Sequence, residues 1–595
     1  MSLQKGDPSA IRKRQSQRKG EGTRSFFYRL KKTKIVKTLA AFIGGGWLWL
    51  EFVHWILIDH YHFPEQLLDI SFISLLSALF CVLIWRWFGE KAKGERALKS
   101  RVVLVTSLIL ATLVGDALLV RKIVSGKKEE FPAPKFKNSV AVLPFVDISP
   151  SKDQEYFCDG ITEQLINSLS NIKELKVPAR TSAFFFKGKE QDIRKIGQAL
   201  NVSNVLEGSV RKDANRLRIT AQLINVADGY HLWSEQFDRE LTDIFSIQDE
   251  IALAIADRLE LNLLSTEKGR MTKHHTENKE AYDMYLRGRH FWYRRTPDGF
   301  SKSLECYQKA LDIDPSYALA YIGIADTYLQ MGWYDFISSE FTRVKARPAI
   351  EKALQLDDQL AEAHSAAGTL KGDFEYNFDE AEREYQRSIA LDPNYIHAHH
   401  WYSLFLISMG RHEEARAEIG KALSLDPLSL IVNTASGGNY YSAKQYDKAV
   451  EALQKTLELD PNYYIPRIWL ALAYTQKGMF ADAINEIQRT EEATLGKSTF
   501  VTAHRAYIYA VSGKKEEAEA LINKLVQGRG EIYISPALIA QVLSSLGKVA
   551  ESFEWLDKAF QDRDHWLVYF KTLQGFDVLR QDPRAQELMK KIGFK

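Results

Sequence analysis

A six-residue signature returns along the second half of the chain: ALDIDP at 310–315, ALQLDD at 353–358, SIALDP at 388–393, ALSLDP at 422–427 and TLELDP at 456–461. The last three end at Pro393, Pro427 and Pro461, two steps of 34 residues. A fixed period of that length marks stacked helical hairpins, because one hairpin cannot bury its apolar face alone and must lean on the next. Half of the chain is therefore built to present a surface.

The unit ending at Pro427 shows why the period folds this way. Tyr402 and Leu406 lie one helical turn apart on a first helix, Gly410 permits the turn, and Ala415, Ile419 and Ala422 form the buried stripe of a second helix. Asp426 and Pro427 then stop one hairpin and start the next, since proline fits a first helical turn but not an interior. Ala449, Leu453 and Pro461 repeat the grammar, as do Ala381, Tyr385 and Pro393.

These residues resemble the tetratricopeptide repeat family over roughly residues 280–565, in about eight units. Between Pro315 and Asp358 the spacing is 43, which predicts an insertion around Trp333 to Arg347; beyond Pro461 the proline signal is lost, although Gly478, Gly513 and Gly547 keep the spacing. Residues 566–595 read as a C-terminal cap. In the family, the inner groove is lined by the first helix of each pair. That resemblance implies a partner-binding groove of Tyr285, Trp292, Arg295, Tyr317, Ile324, Thr327, His397, His400, Leu404, Ile431 and Tyr441, suited to a protein or extended peptide. Inter-repeat core packing is the competing reading for several of them.

The opposite end is a different material. After a basic leader, residues 1–37, come three apolar stretches, Thr38 to Ile58, Leu68 to Trp85 and Val102 to Val120, each near the length needed to cross ~30 Å of hydrocarbon. They predict three transmembrane helices. Lys and Arg crowd the leader and the Arg86 to Arg101 loop but are absent from Asp59 to Leu67, which places the amino terminus in the cytoplasm and the domains after residue 121 outside it. The third stretch is the weak one, with Asp116 inside it and Arg121 and Lys122 behind it. Glu51 and His54 share one face of the first stretch, as a functional pair or as groups reaching for the interface.

A linker, residues 121–137, leads to a domain at 138–264. It opens on the strand-like run VAVLPF at 140–145, followed by a helix near Gly160 to Leu169, a strand near Leu175 to Arg180, a helix carrying Ile193, Ile196 and Leu200, three strands, and a helix with Ile244, Ile247, Ile251, Ile255 and Leu259 on one face. That order predicts a mixed α/β domain. The strings VAVLPF, YFCDGITEQL, LEGSVRK and LRITAQLINVADGYHLWSEQFD resemble the TolB-amino-terminal-like domain, which accompanies tetratricopeptide repeats in bacterial signalling proteins, including forms joined to class III nucleotide cyclases or to winged-helix DNA-binding domains. The expected fold class is thus multidomain: three spans, a mixed α/β domain and an all-α repeat superhelix.

Chemistry is sparse. The net charge of +3 says little about nucleic acid, because the positive excess sits beside the apolar stretches, and no nucleic-acid partner is expected; three cysteines are too few for a disulfide framework. LGKST at 495–499 lacks the upstream glycine of a phosphate loop, since Glu491 stands there; GxSxG, HExxH and paired CxxC are absent. His364, His397 and His400 are conceivable zinc ligands but read better as packing or groove histidines. Cys158, beside Asp159 at a helix start, is an activated thiolate or, more simply, a packed small residue.

The sequence thus reads as a scaffold or signal-transduction component of the bacterial inner membrane, without catalysis, cofactor or metal, that binds a protein or peptide partner and leaves its oligomeric state open. A regulatory subunit of a separate enzyme or transporter is the alternative. An enzyme centred on Cys158 or Asp159 has the least support.

Overall fold

The computed structural model describes residues 35–60, 66–89, scattered positions between 103 and 114, and 136–594 apart from 190, 214–215, 241–242, 262 and 529–532. The chain divides into two compact units, Met1–Glu130 and Phe131–Lys595.

The first unit corrects the three-span reading, and with it the multi-pass inner-membrane placement. Among the described residues no helix is long and apolar enough to cross a membrane. The α-helix of the first apolar stretch, Ile35–Phe52, is 18 residues long and contains Lys37 and Glu51. At 1.5 Å per residue it reaches about 27 Å, short of the ~30 Å required. From Val53 to His60 the backbone widens into a π-helical segment that takes in Asp59. The second helix, Gln66–Gly89, carries Asp69 and Arg86 toward its ends. The third stretch, apart from a few positions, lies outside the described residues. The fold class is accordingly a mostly helical repeat superhelix with a small sheet domain.

In the second unit, strands β1 (Val140–Val142) and β2 (Val146–Asp147) both run parallel to β3 (Asn204–Asp213), which continues into the antiparallel meander β4 (Arg216–Asn225) and β5 (His231–Glu240). Pro144 separates β1, at the head of the VAVLPF run, from β2 just beyond it, because proline has no N–H to give the ladder. The strand expected at Leu175 to Arg180 shrinks to one bridge, Ser139 with Lys176, before a helical turn begins at Arg180. Helices Glu155–Ser170 and Ile244–Arg258 cover the sheet, burying Ile161, Leu165, Ile247, Ile251 and Ile255 against Leu206 and Ile219.

That core does not stop at the sheet domain. It runs on through Tyr282, Leu286 and Tyr307 of the first repeat and Tyr317 at the start of the second. Gly160 makes the close approach possible, since a Cβ there would stand 2.5 Å from Leu286 Cδ1.

Eight helical pairs follow, from Lys279–Trp292 with Pro297–Ile313 to Pro536–Ser545 with Val549–Gln561. Ala415, Ala449 and Ala483, one period apart, are completely buried where the two helices of a pair meet. The extra residues between Pro315 and Asp358 are mostly helix: the pair is Ala318–Trp333 and the 18-residue Ser339–Leu356. Each pair turns on one residue with positive φ. Gly410, Gly478, Gly513 and Gly547 serve in four pairs, whereas Arg295, Asp335, Tyr376 and Lys444 hold the same conformation in the others. A side chain there costs about 1–2 kcal/mol of backbone strain.

After Gln561 the chain turns back into the array as three short 3-10 segments, His565–Tyr569, Gln574–Phe576 and Leu579–Gln581, and a last helix, Pro583–Ile592. Tyr376 Oη donates to the Asp564 carbonyl at 2.8 Å, Gln574 Nε2 donates to the Tyr441 carbonyl at 3.2 Å, and Phe594 stacks on Phe378.

Candidate functional site

The first helices of successive pairs converge on a recess with an empty volume of about 930 Å³, part of it open to solvent. His397, Ile431 and Ile465 line it at intervals of one period. So do Trp401, Ala435 and Trp469. The returning C-terminal segment supplies another wall. Trp566 packs against Trp333 and Phe500, with ring centroids 5.6 and 5.3 Å apart, and Tyr569 lies 6.3 Å from Trp333.

Buried acids hold these rings in place. Trp333 Nε1 donates to Asp373 at 2.9 Å, and Trp566 Nε1 donates to Asp335 at 3.3 Å. Burial pushes Asp373 up to about 7, and burial followed by the neighbouring Asp564 raises Asp335 well above the ordinary carboxylate range. Asp564, raised to about 6 by burial, accepts from Ser535 Oγ and Ala537 N. Ser339 Oγ lies 3.5 Å from His565 Nδ1, and His565 Nε2 lies 4.0 Å from Asp335. This is not a working nucleophile: all three side chains are buried, and burial drives His565 down to about 3, so the imidazole is a poor base.

Of the eleven groove residues expected from sequence, the recess brings together Arg295, His397, His400, Leu404 and Ile431. The other six lie elsewhere. Tyr285 and Tyr317 pack on each other in the core shared with the sheet domain; Thr327 is buried and donates to the Gly323 carbonyl; Ile324 lies against the same core. Tyr441 is buried against Tyr446 and Trp469. Trp292 is 3% exposed, beneath the Arg295 guanidinium and edge-on to His397. The sequence reading missed Trp333, Trp401, Trp469, Phe500, Trp566 and Tyr569. The spacing of Trp401 and Trp469, two periods apart, was the available signal for a shared position.

The remaining candidates resolve into structural roles. Cys158 is buried, and its thiol is pushed up to about 12 by burial and then by Asp147 and Asp159, the opposite of an activated thiolate. Asp159 is ion-paired to Lys187 at 2.5 Å and faces His290 at 3.2 Å. Glu163 holds Arg289 across the join to the first repeat. His364 is engaged by Glu384 at 2.6 Å, apart from His397 and His400, and no metal-binding cluster of His, Cys, Asp or Glu occurs among the described residues.

Comparison with known proteins agrees with the repeats. Residues 300–332, 396–427 and 440–496 match family models described as TPR repeat or tetratricopeptide repeat. The C-terminal region of the chain carries tetratricopeptide repeats. Residues 136–254 match the model described as HilA/YgeH-like transcriptional regulator, second domain. The chain is 42% identical over 196 residues to a protein of Rhizobium meliloti (strain 1021) named "Putative adenylate cyclase 3", a match spanning 33% of each protein. It is 21% identical over 404 residues to the transcriptional regulator HilA of Salmonella typhimurium (strain LT2), covering 67% of this chain and 69% of HilA. Among solved structures, Pseudomonas aeruginosa pilF aligns over 34% of this chain and 91% of its own at 21% identity, with a TM-score of 0.27. An IFIT1 monomeric mutant aligns over 59% and 88% at 13% identity, with a TM-score of 0.39.

Proposed function

We propose that the chain is a protein-interaction scaffold whose repeat array takes an extended peptide or protein partner along its inner face and conveys that occupancy to the attached sheet domain. The observation that carries the reading is the convergence of first-helix side chains from several repeats, among them His397, Leu404 and Ile431, on one aromatic recess that Arg295 also reaches from a turn. A second feature supports it: the array already holds a polypeptide segment, the chain's own 564–594, which lines the recess with Trp566 and Tyr569 and is tied by one hydrogen bond from Tyr376 Oη to its Asp564 carbonyl and one from its Gln574 Nε2 to the Tyr441 carbonyl. Binding of extended chains by such arrays uses the same vocabulary of aromatic pockets and amide contacts.

A regulatory role is the second reading. It is favoured by the matches of the sheet domain to a transcriptional-regulator model and of a third of the chain to a protein named as a cyclase. The sheet domain would then be the element through which an output chain is addressed.

The scaffold reading is tested by capture with the full chain as bait. Leu404→Glu with Ile431→Glu places two carboxylates in the recess from half-buried positions. Proteins captured by the wild type are expected to be lost with a melting curve near the wild type. Equal capture by both baits would remove the groove from consideration.

A further inference from the structure

We propose that the aromatic recess is itself a small-ligand site, taking a flat, largely apolar molecule that carries one carboxylate, with Arg295 as the anion's anchor. The proposal concerns the same recess as the partner reading above but does not rest on it, since its test uses small probes alone.

Shape comes first. The recess, whose empty space of about 930 Å³ is continuous with solvent, is walled by the rings of Trp333, Tyr334, Trp401, Trp469, Trp566 and Tyr569 together with aliphatic Leu404, Ile431 and Ile465. The indole N–H groups of Trp333 and Trp566 are spent on Asp373 and Asp335, so both rings are fixed by hydrogen bonds rather than left to rotate. Fixed aromatic faces stack flat ligands with little entropy to lose.

Charge then selects the ligand. Arg295 is the one charged residue type among the lining residues; the histidines beside it, His397 and His400, are held neutral by burial, His400 down to about 3. Among the described residues Arg295 makes no ion pair. It donates to the neutral Gln330 Oε1 and lies 4.1 Å above the Trp292 ring. The nearby Asp326 is raised to about 7 by burial and does not form an ion pair with it. A guanidinium in a largely apolar chamber that is engaged in no ion pair is a site for an anion, and it repels a cation that the rings alone would welcome. One further group is available to a ligand's polar edge: Tyr569 lines the recess, and its Oη is buried without a hydrogen-bond partner among the described residues. Arg295 also sits at positive φ where four other repeats use glycine, so its side chain is kept there at a backbone cost.

The test uses the full chain and three probes of one shape, 1-naphthoate, 1-naphthamide and 1-naphthylmethylammonium, titrated by calorimetry. Naphthoate is expected to bind at a single site, at least about tenfold tighter than the amide, the ordinary worth of a charge-assisted hydrogen bond, with the ammonium weakest. Arg295→Gln should bring naphthoate to the level of the amide, and Arg295→Lys should restore part of the difference. Equal binding of carboxylate and amide, stronger binding of the ammonium, no binding of any probe, or an Arg295→Gln protein that binds like the wild type would overturn the proposal. The three-probe comparison on the wild type decides the matter even where the variant is less stable.

Discussion

The aspartates of the repeat signature show how one residue type takes two roles. Asp314, Asp357, Asp392 and Asp460 each accept from the backbone N–H two residues on, closing the turn between repeats at 2.8–3.0 Å. Asp426 occupies the same place and does something else. Its Oδ1 accepts from Ser182 N at 2.9 Å, and the Leu428 N–H that would have closed the turn donates to Ser182 Oγ at 2.8 Å. A signature residue of the fourth repeat thereby fastens the sheet domain. Removing it strands a buried backbone N–H, which costs about 1–3 kcal/mol. Asp426→Ala is accordingly expected to lower the unfolding free energy by that amount and to raise hydrogen exchange in 179–185, whereas Asp460→Ala should cost about 1 kcal/mol or less and leave that segment protected. No sequence pattern separates the two, because the difference lies in what packs outside the repeat.

Asp373 supplies a pH dependence of known sign. Burial raises it to about 7 in the folded protein, against an ordinary value of 3.8. Between those values only the folded state keeps the proton, so its contribution is present at acid pH and is lost as pH rises to about 7. Asp373→Asn keeps an acceptor for Trp333 and has no proton to lose. Its melting temperature is expected to gain on the wild type as pH goes from 4 to 7 and to run parallel above; a gap that does not change with pH would refute the assignment.

At the scale of elements, the repeats were legible because the central pairs bury an alanine at the same place, Ala381, Ala415, Ala449 and Ala483, at steps of 34 residues. The turns were legible only in part. Gly478, Gly513 and Gly547 marked the period, and the positions without glycine carried the missed information: Arg295 faces the recess, Asp335 holds Trp566, and Tyr376 holds the Asp564 carbonyl. Strain is kept where a side chain has work to do. Lys444 is the informative exception, with an exposed side chain whose ion pair to Asp577 adds little. Lys444→Gly is expected to raise the unfolding free energy by up to about 1 kcal/mol, measured by urea unfolding. The same change at Tyr376 should destabilise, since it removes a buried ring with its hydrogen bond.

At the scale of the molecule, the period of 34 residues predicted an array but not its closure. Sequence places Trp333 and Trp566 more than 200 residues apart, and only the superhelical path with the returning C-terminal segment brings them to 5.6 Å. Local periodicity carries no information about that return. The same ignorance explains the groove residues that became core. Tyr285, Tyr317 and Tyr441 hold positions that face a groove in an open array, and here a neighbouring domain or an adjoining aromatic ring covers them. The apolar stretches near the amino terminus failed for the opposite reason: counting apolar residues did not register where an α-helix ends, at Phe52.

Whether the inner face receives the partner is settled most directly by site-specific photocrosslinking. A benzophenone amino acid is placed in turn at Leu404 and Ile431, which face the recess, and at Lys455, which is exposed on a second helix. The account predicts crosslinks to one partner from Leu404 and Ile431 and none from Lys455. Crosslinks from Lys455 with none from the two recess positions would contradict it.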